Sequence, residues 1–189
     1  GGNALPYRWR PMDFEYNGKT YTNERAIATQ QTGFWFVGQS RGDFPDVIGG
    51  IIWFGTDDAA TSYLTPIYTN TNRVPECFRE GNGDLLTYSN TSSFWINNRI
   101  TNACYRMYNI MAPYVRERID AFENEQMVKV RENDNKALDL FKQAMDGAEK
   151  KGKKASVAYD VMSDTGSSFS AVKSLLTKYS VDTAQKMFK

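Results

Sequence analysis

The chain has 189 residues, of which 41% are hydrophobic and 14% aromatic, enough apolar material for one ordinary core with a helical extension. Its 23 basic and 22 acidic residues leave a formal charge of +1, so the sequence lacks the excess positive charge that is typical of nucleic-acid-binding proteins. It contains no histidine, which excludes a Ser-His-Asp triad, a Cys-His dyad and any zinc site that relies on imidazole.

The chain up to about residue 90 is predicted to be mainly β-structure, because short apolar runs alternate with Gly, Asn, Asp and Pro. The first clear strand covers residues 34–39 and is largely apolar on both faces, as in a sheet that is covered on both sides. A loop at residues 42–45 follows, and then an apolar strand at residues 48–54 whose paired glycines predict a bulge or a close backbone approach. A third strand is expected at residues 63–68.

The rest of the chain is predicted to be helical. From residue 92 onward, apolar residues recur every three or four positions, after side-chain oxygens at residues 89–91 that are suited to an N-cap. Pro113 is expected to kink this helix or to start a new one, because proline lacks the amide N–H. Two more apolar helical faces are expected, at residues 138–148 and 172–179, separated by a turn at residues 164–168.

A Lys- and Gly-rich segment at residues 147–155 is the best candidate for a domain boundary. We therefore assign residues 1–150 to the main domain, β-rich to about residue 90 and helical after, and residues 151–189 to a helical tail. The lysines within residues 150–154 have no aromatic residue among them for base stacking, so we interpret them as a solvated connector.

Two cysteines and three asparagines have open interpretations. Cys77 and Cys104 are too far apart for a CxxC motif; they form a disulfide, two buried thiols, or one of each, and we favour two reduced, packed thiols. Cys77 has no histidine to activate it, which argues against a nucleophile. Asn97, Asn98 and Asn102 on the first long helix either reach a polar cleft or are solvated.

Several unusual motifs occur in a fixed order over about the first two thirds of the chain. They are TGFWFVGQSR at residues 32–41, P-x-x-IGG-x-IWFG at 45–55, DDAATSYLTPIY at 57–68, VPECF at 74–78 and SSFWINNRITNACYRMY at 92–108. With these motifs the chain resembles the later half of bacterial dipeptidases of the N-terminal-nucleophile (Ntn) hydrolase class, a family related to penicillin V acylases and bile salt hydrolases.

The resemblance implies an α+β fold, part of an αββα sandwich with a mainly antiparallel sheet, followed by a helical C-terminal region. It also implies peptide hydrolysis by a chain-terminal Cys whose own α-amino group is the general base, a mechanism that requires no histidine and no cofactor. A free α-amine titrates near 7.7–8.0, so much of it is neutral at physiological pH.

The chain departs from this pattern because residue 1 is glycine and both cysteines are internal. We therefore expect a C-terminal portion of a dipeptidase that is inactive alone, with the upstream half of the same enzyme and a dipeptide as its partners. A homo-oligomer is also possible. No partner nucleic acid or membrane is expected, and the compartment, cytoplasmic or exported, stays open.

Three residues are predicted to bind substrate. Gln39 and Arg41 end a strand that the resemblance places in the central sheet, where a bidentate arginine can hold a substrate carboxylate; the alternative is a structural salt bridge. Asp57, together with its neighbour Asp58, either binds the free amino group of a dipeptide or caps a turn or helix. No metal ligands are predicted.

A different class of function fits the same composition. An aromatic-rich sheet with a helical arm is also compatible with a stand-alone module that binds a protein or a glycan without catalysis. This alternative predicts a stable monomer whose sheet is fully covered, whereas the dipeptidase portion is expected to expose apolar surface where its upstream half packs.

Overall fold

The computed structural model of the chain describes residues 12–24, 28, 31–149 and 169–186. It confirms an α+β fold with small antiparallel sheets and a helical C-terminal region. The elements in chain order are β1 (Met12–Tyr16), β2 (Lys19–Glu24), β3 (Phe34–Ser40), α1 (Asp46–Gly49), β4 (Gly50–Thr56), β5 (Thr65–Tyr68), a 3₁₀ helix (Glu76–Phe78), α2 (Ser93–Arg106), α3 (Tyr108–Glu149) and α4 (Phe169–Lys186).

The first two strands form an antiparallel hairpin of their own. Asn17 and Gly18 connect them with φ values of +49° and +71°. Two left-handed residues in succession are the signature of the tight type I′ turn that the Asn-Gly pair favours. Across the hairpin, the rings of Phe14 and Tyr21 stack with 5.1 Å between their centroids.

The second sheet has the strand order β3-β4-β5. The predicted first strand is confirmed, and the third is shorter than predicted. The second is displaced, because Ile48 and Gly49 donate their amide N–H groups to the carbonyl of Pro45 at 2.8 Å and form the short helix α1 instead. The close backbone approach predicted for the glycine pair is present at Gly49, where a Cβ atom would lie 3.0 Å from the carbonyl oxygen of Arg41. At Gly50 the nearby group is the side chain of Thr69, with 2.5 Å between Oγ1 and a Cβ atom.

The expectation that β3 is covered on both faces is wrong for the part of the chain that the structure describes. Phe34 and Phe36, which point to the same side of the strand, are 62% and 59% exposed. The ring of Phe34 stacks on Phe54 of β4, with 6.1 Å between the centroids. An apolar strand is buried only if a second layer packs on it. No described segment covers Phe34 and Phe36 in this way.

The helices begin and end at different residues from those predicted. The N-cap of α2 is Ser92 rather than one of residues 89–91. The break between α2 and α3 is at Met107, whose φ and ψ are −143° and 61°, whereas Pro113 lies inside α3. The predicted apolar face at residues 138–148 lies within α3.

The C-terminal helix and the thiols agree with the predictions. On α4, Val172 and Leu176 are fully buried, as the spacing of four predicts. Cys77 and Cys104 are both free thiols and both buried. No helix among the described residues is long and apolar enough to cross a membrane. The predicted boundary between residues 150 and 151, the lysine cluster at 150–154 and the turn at 164–168 lie outside the described residues.

The chain divides into two compact units. The first unit comprises Gly1–Phe36, Phe54–Leu64 and Glu80–Glu123, and the second comprises Val37–Trp53, Thr65–Arg79 and Asn124–Lys189. The second unit has an apolar core formed by Val47, Ile48, Ile51, Tyr68, Val130, Ala137, Val172 and Leu176. Several of the most buried residues of the first unit are polar: Thr56, Asp57, Asp58, Thr61, Ser62, Ser93, Asn97 and Thr101.

Candidate functional site

Asp57 follows β4 directly and has a backbone conformation that few non-glycine residues adopt. Its φ of +69° lies in the left-handed region, which Asp and Asn tolerate better than most side chains. The amide N–H of Asp57 donates to the carbonyl oxygen of Gly33 at 2.9 Å, which holds the turn in place. Asp57 is only 2% exposed. The end of β4 therefore places an acidic side chain in the interior of the first unit, a strained arrangement of the kind that clusters at functional sites.

One carboxyl oxygen of Asp57 is engaged and the other has no donor. Asn98 Nδ2 donates to Oδ1 at 3.3 Å, whereas Oδ2 is buried without a hydrogen bond of acceptable geometry from any described residue. Burial raises the pKa of Asp57, and the nearby side chains of Thr101 and Asn98 only partly oppose this. No basic side chain is among the groups that lower the pKa. A buried carboxyl group with an unsatisfied acceptor oxygen is suited to a partner that donates hydrogen bonds and carries positive charge.

Asp58 has the turn-capping role that the sequence left open. Its carboxyl oxygen Oδ2 accepts the hydroxyl of Thr61 at 3.0 Å, and its carbonyl oxygen accepts the amide N–H of Ser62 at 3.0 Å. Burial is the main cause that raises the pKa of Asp58, and the negative charge of Asp57 raises it further. Oδ1 of Asp58, like Oδ2 of Asp57, is buried and has no hydrogen bond from any described residue. The two neighbouring carboxyl groups therefore differ in that Asp58 also caps the turn.

A polar stripe on α2 lines this region of the first unit. Ser93, Asn97 and Thr101 recur every four residues and are nearly fully buried. Asn97 Nδ2 donates to the Thr56 hydroxyl at 3.0 Å, and the hydroxyls of Thr101 and Thr61 lie 2.7 Å apart. The sequence contains the signal, a serine, an asparagine and a threonine at positions i, i+4 and i+8, but Ser93 and Thr101 were not among the predicted site residues.

The asparagines of α2 divide between the two interpretations that the sequence allowed. Asn97 and Asn98 reach the polar region next to β4, through bonds to Thr56 and Asp57 respectively. Asn102 is exposed and donates to the Asn98 carbonyl oxygen at 2.8 Å. Position on the helix, rather than residue type, decides which of them belongs to the site.

Asp57→Asn is expected to raise the free energy of unfolding at neutral pH by more than the ~0.5 kcal/mol scatter of surface substitutions. The neutral amide keeps an acceptor for Asn98 and tolerates the left-handed backbone, but it removes the buried charge. Because the pKa of Asp57 is raised in the folded state, folding binds its proton more tightly. Wild-type stability from this group therefore falls as pH rises above 3.8, and the advantage of the variant grows in the same direction.

Urea unfolding of both proteins from acidic to neutral pH measures this difference. Asp139→Asn, at an exposed position of α3, is the matched control and should change the free energy of unfolding by less than ~0.5 kcal/mol at any pH. An advantage of Asp57→Asn that shrinks with rising pH contradicts the buried-charge account.

Gln39 and Arg41, the other two predicted site residues, belong to the second unit. Gln39 is exposed at the end of β3, and its side-chain oxygen Oε1 accepts the indole N–H of Trp53 at 3.0 Å. Arg41 is mostly buried and forms a salt bridge with Asp134. Its guanidinium carbon also lies 4.3 Å from the centre of the Phe44 ring, within the range of a cation–π interaction.

Most of the hydrogen-bonding capacity of Arg41 is used inside the chain. Nε donates to the carbonyl of Gly49 at 3.3 Å, Nη2 donates to the carbonyl of Ile48 at 2.7 Å, and both terminal nitrogens donate to the Asp134 carboxylate. A guanidinium has five N–H groups, so these four bonds leave one on Nη1. The salt bridge is the structural alternative that the sequence allowed. Binding of a substrate carboxylate stays a prediction. It would use the one remaining N–H, unless the salt bridge with Asp134 breaks.

Neither cysteine has the environment of a nucleophile. Burial raises the pKa of Cys77 to about 12, and its Sγ donates to the carbonyl oxygen of Ala184 at 3.7 Å. Burial also raises the pKa of Cys104, and the charge of Asp58 acts in the same direction. A catalytic cysteine needs the opposite, an electropositive and partly accessible setting that favours the thiolate.

Within the described ranges, no three Asp, Glu or Cys side chains converge in a group that could hold a metal ion. A family model described as peptidase family C69 matches residues 8–121 of the sequence. No curated protein and no solved structure gives a significant match. The matched range includes Asp57, Gln39, Arg41 and the polar stripe of α2.

Proposed function

The chain belongs to peptidase family C69, and we propose that it is the C-terminal portion of a cysteine-type dipeptidase whose nucleophile lies in an upstream half. In this proposal the two parts together form an αββα sandwich of the Ntn type. A chain-terminal Cys of the upstream half attacks the peptide carbonyl carbon, and its own α-amino group accepts the thiol proton. The amine then returns that proton to the leaving amino group, and water hydrolyses the acyl-enzyme.

The state of the two cysteines carries the proposal. A cysteine peptidase needs a thiolate, yet burial raises the pKa of both Cys77 and Cys104. The sequence has no histidine that could act as their base. Peptide hydrolysis by a cysteine therefore needs a thiol other than Cys77 and Cys104, and a base. A chain-terminal cysteine supplies both, the thiol in its side chain and the base in its α-amino group.

Three polar side chains are proposed to bind a dipeptide. In the first unit, Asp57, with its unsatisfied carboxyl oxygen, is proposed to accept hydrogen bonds from the substrate ammonium group. In the second unit, the Nε2–H groups of Gln39 and the remaining Nη1–H of Arg41 are donors, which suits a substrate carboxylate or a peptide carbonyl.

The edge of the second sheet is where we propose that the upstream half packs. β3 is an edge strand in the order β3-β4-β5, and no described strand pairs with its outer side. Its phenylalanines Phe34 and Phe36 are largely exposed on one face. Unpaired edges with exposed apolar side chains favour association with another strand or layer. The proposed partner is therefore the missing half of the same enzyme.

Mixing the chain with a separately made upstream half that begins in Cys is expected to give a one-to-one complex. Hydrogen exchange should then slow at the outward-facing amides of β3, because a new strand or layer covers them. The amides of β4 are the internal control: β4 is already flanked by β3 and β5, so their exchange should change little. Intact-complex mass and exchange mass spectrometry measure both effects.

If the chain stays monomeric when it is mixed with the upstream half, the alternative function, a protein- or glycan-binding module, is favoured. A one-to-one complex in which β3 stays unprotected would contradict the proposed packing edge but not the association itself.

A further inference from the structure

The side chain of Gln39 is oriented by a neighbour that can only donate a hydrogen bond. Trp53, on β4, places its indole N–H 3.0 Å from Oε1 of Gln39. An indole has no acceptor, so its N–H selects the amide oxygen and rejects the amide nitrogen. The –NH₂ end of Gln39 must therefore point away from the tryptophan.

This end of Gln39 is available for a ligand. Gln39 is exposed, and Nε2 has no hydrogen-bond partner among the residues that the structure describes. Trp53 is itself held in place, because it is partly buried against the apolar core that contains Ile51 and Tyr68. A fixed indole thus presents the two N–H donors of an amide toward solvent in one orientation.

We infer that Trp53 is a positioning residue that sets Gln39 to donate to an oxygen acceptor of the dipeptide, a carboxylate or a peptide carbonyl. The inference rests on the proposed dipeptidase function and narrows the role of Gln39 within it. The indole occupies one of the two lone pairs of Oε1 and leaves both N–H donors of Nε2 free, so an oxygen acceptor fits Gln39 better than the substrate ammonium group does. Orienting a donor before binding lowers the entropy cost of forming the substrate hydrogen bond.

Three variants separate orientation from packing in the joined two-part enzyme. Gln39→Glu keeps the acceptor for Trp53 but replaces the donors with a negatively charged oxygen, so KM for dipeptides should rise at least tenfold. Trp53→Phe keeps most of the aromatic packing and frees the amide to rotate; KM should rise about three- to tenfold with kcat within about twofold. Trp95→Phe, which removes an indole bond to the carbonyl of Asp84 instead, is the matched control and should leave KM unchanged.

The decisive comparison is Trp53→Phe in a Gln39→Ala background. If Trp53 acts through Gln39, the substitution changes KM little once the amide is gone, and the two effects do not add. The same threefold or larger rise of KM in that background would overturn the positioning role and indicate a packing effect. An indole ¹H–¹⁵N resonance of Trp53 that shifts in Gln39→Ala supports the bond independently of activity.

The outcomes also separate this inference from the proposed function. If the joined wild-type protein cleaves dipeptides but Gln39→Glu and Trp53→Phe leave KM unchanged, the inference is wrong and the dipeptidase function stands. If the joined wild-type protein cleaves no dipeptide, the proposed function is wrong and the inference falls with it.

Discussion

Asp134→Ala is expected to lower the free energy of unfolding by about 3–5 kcal/mol, the usual cost of leaving a buried charge without its partner. The side chains of Arg41 and Asp134 are 12% and 4% exposed, so water cannot replace the lost carboxylate. Tyr68 would lose its shorter hydrogen bond too, because its hydroxyl donates to Oδ1 of Asp134 at 2.7 Å and has the Val130 carbonyl oxygen only at 3.4 Å. Burial and the neighbouring carboxylate both raise the pKa of Tyr68, so this tyrosine stays protonated as a donor at neutral pH.

Chemical denaturation measures this effect, with two comparisons to assign it. Asp139→Ala, at an exposed position on the same helix, should change the free energy of unfolding by less than ~0.5 kcal/mol, apart from the difference in helix propensity between the two residues. The double variant Arg41→Met and Asp134→Leu should be more stable than Asp134→Ala, because it leaves no unpaired charge. A loss below about 1 kcal/mol for Asp134→Ala would contradict the view that this pair is buried and specifically formed.

Elements with a strong period could be predicted from the sequence. The apolar spacing of four on α4 identified Val172 and Leu176, which the structure buries completely. The alternation of large apolar residues identified β3 to within one residue. Both of these features depend on neighbours that are close in the sequence. The free, packed state of both cysteines agrees with the general tendency of cysteine to behave as a small buried apolar residue.

Features that depend on distant residues could not be predicted. Arg41 and Asp134 are separated by 93 positions, and nothing local marks Asp134 as the partner of a strand-end arginine. The predicted strand at residues 48–54 begins instead at Gly50, because Ile48 and Gly49 belong to α1, where the Pro45 carbonyl accepts their two amide N–H groups at 2.8 Å. The left-handed backbone of Asp57 likewise depends on its bond to Gly33.

The candidate site was predicted in part. Asp57, Gln39 and Arg41 were identified from their positions at strand ends, and the motifs around them lie within the range that matches the family. The sequence did not reveal the buried Ser93 and Thr101 of α2 or the bond between Trp53 and Gln39. Those depend on which face of an element meets its neighbour. The spacing of four between the polar residues of α2 places them on one face but does not say that this face is buried.

Asp57 connects stability with the proposed activity. A buried carboxyl group with a raised pKa and an unsatisfied oxygen weakens folding, so its presence needs another reason. Substrate recognition supplies that reason if the ammonium group of a dipeptide donates to the free oxygen. The variant that stabilises the protein, Asp57→Asn, should then weaken dipeptide binding, a trade-off that is common at active sites.

The largest expected effect is on catalysis itself. The chain alone should hydrolyse dipeptides no faster than buffer, because burial raises the pKa of Cys77 and Cys104 and the chain has no histidine. Joined to an upstream half that begins in Cys, it should cleave them with a rate typical of enzymes, about 1–1000 turnovers per second. Replacing that terminal Cys by Ala should abolish the gain, whereas Cys77→Ala with Cys104→Ala should leave the chemical step intact.

The rate of dipeptide hydrolysis by the chain alone and by the joined protein is therefore the most direct measurement of the central claim. Activity only in the joined protein, lost on replacing the terminal Cys and retained without Cys77 and Cys104, is the predicted result. Hydrolysis by the chain alone that disappears in Cys77→Ala or Cys104→Ala would contradict the claim, because the nucleophile would then lie within these 189 residues.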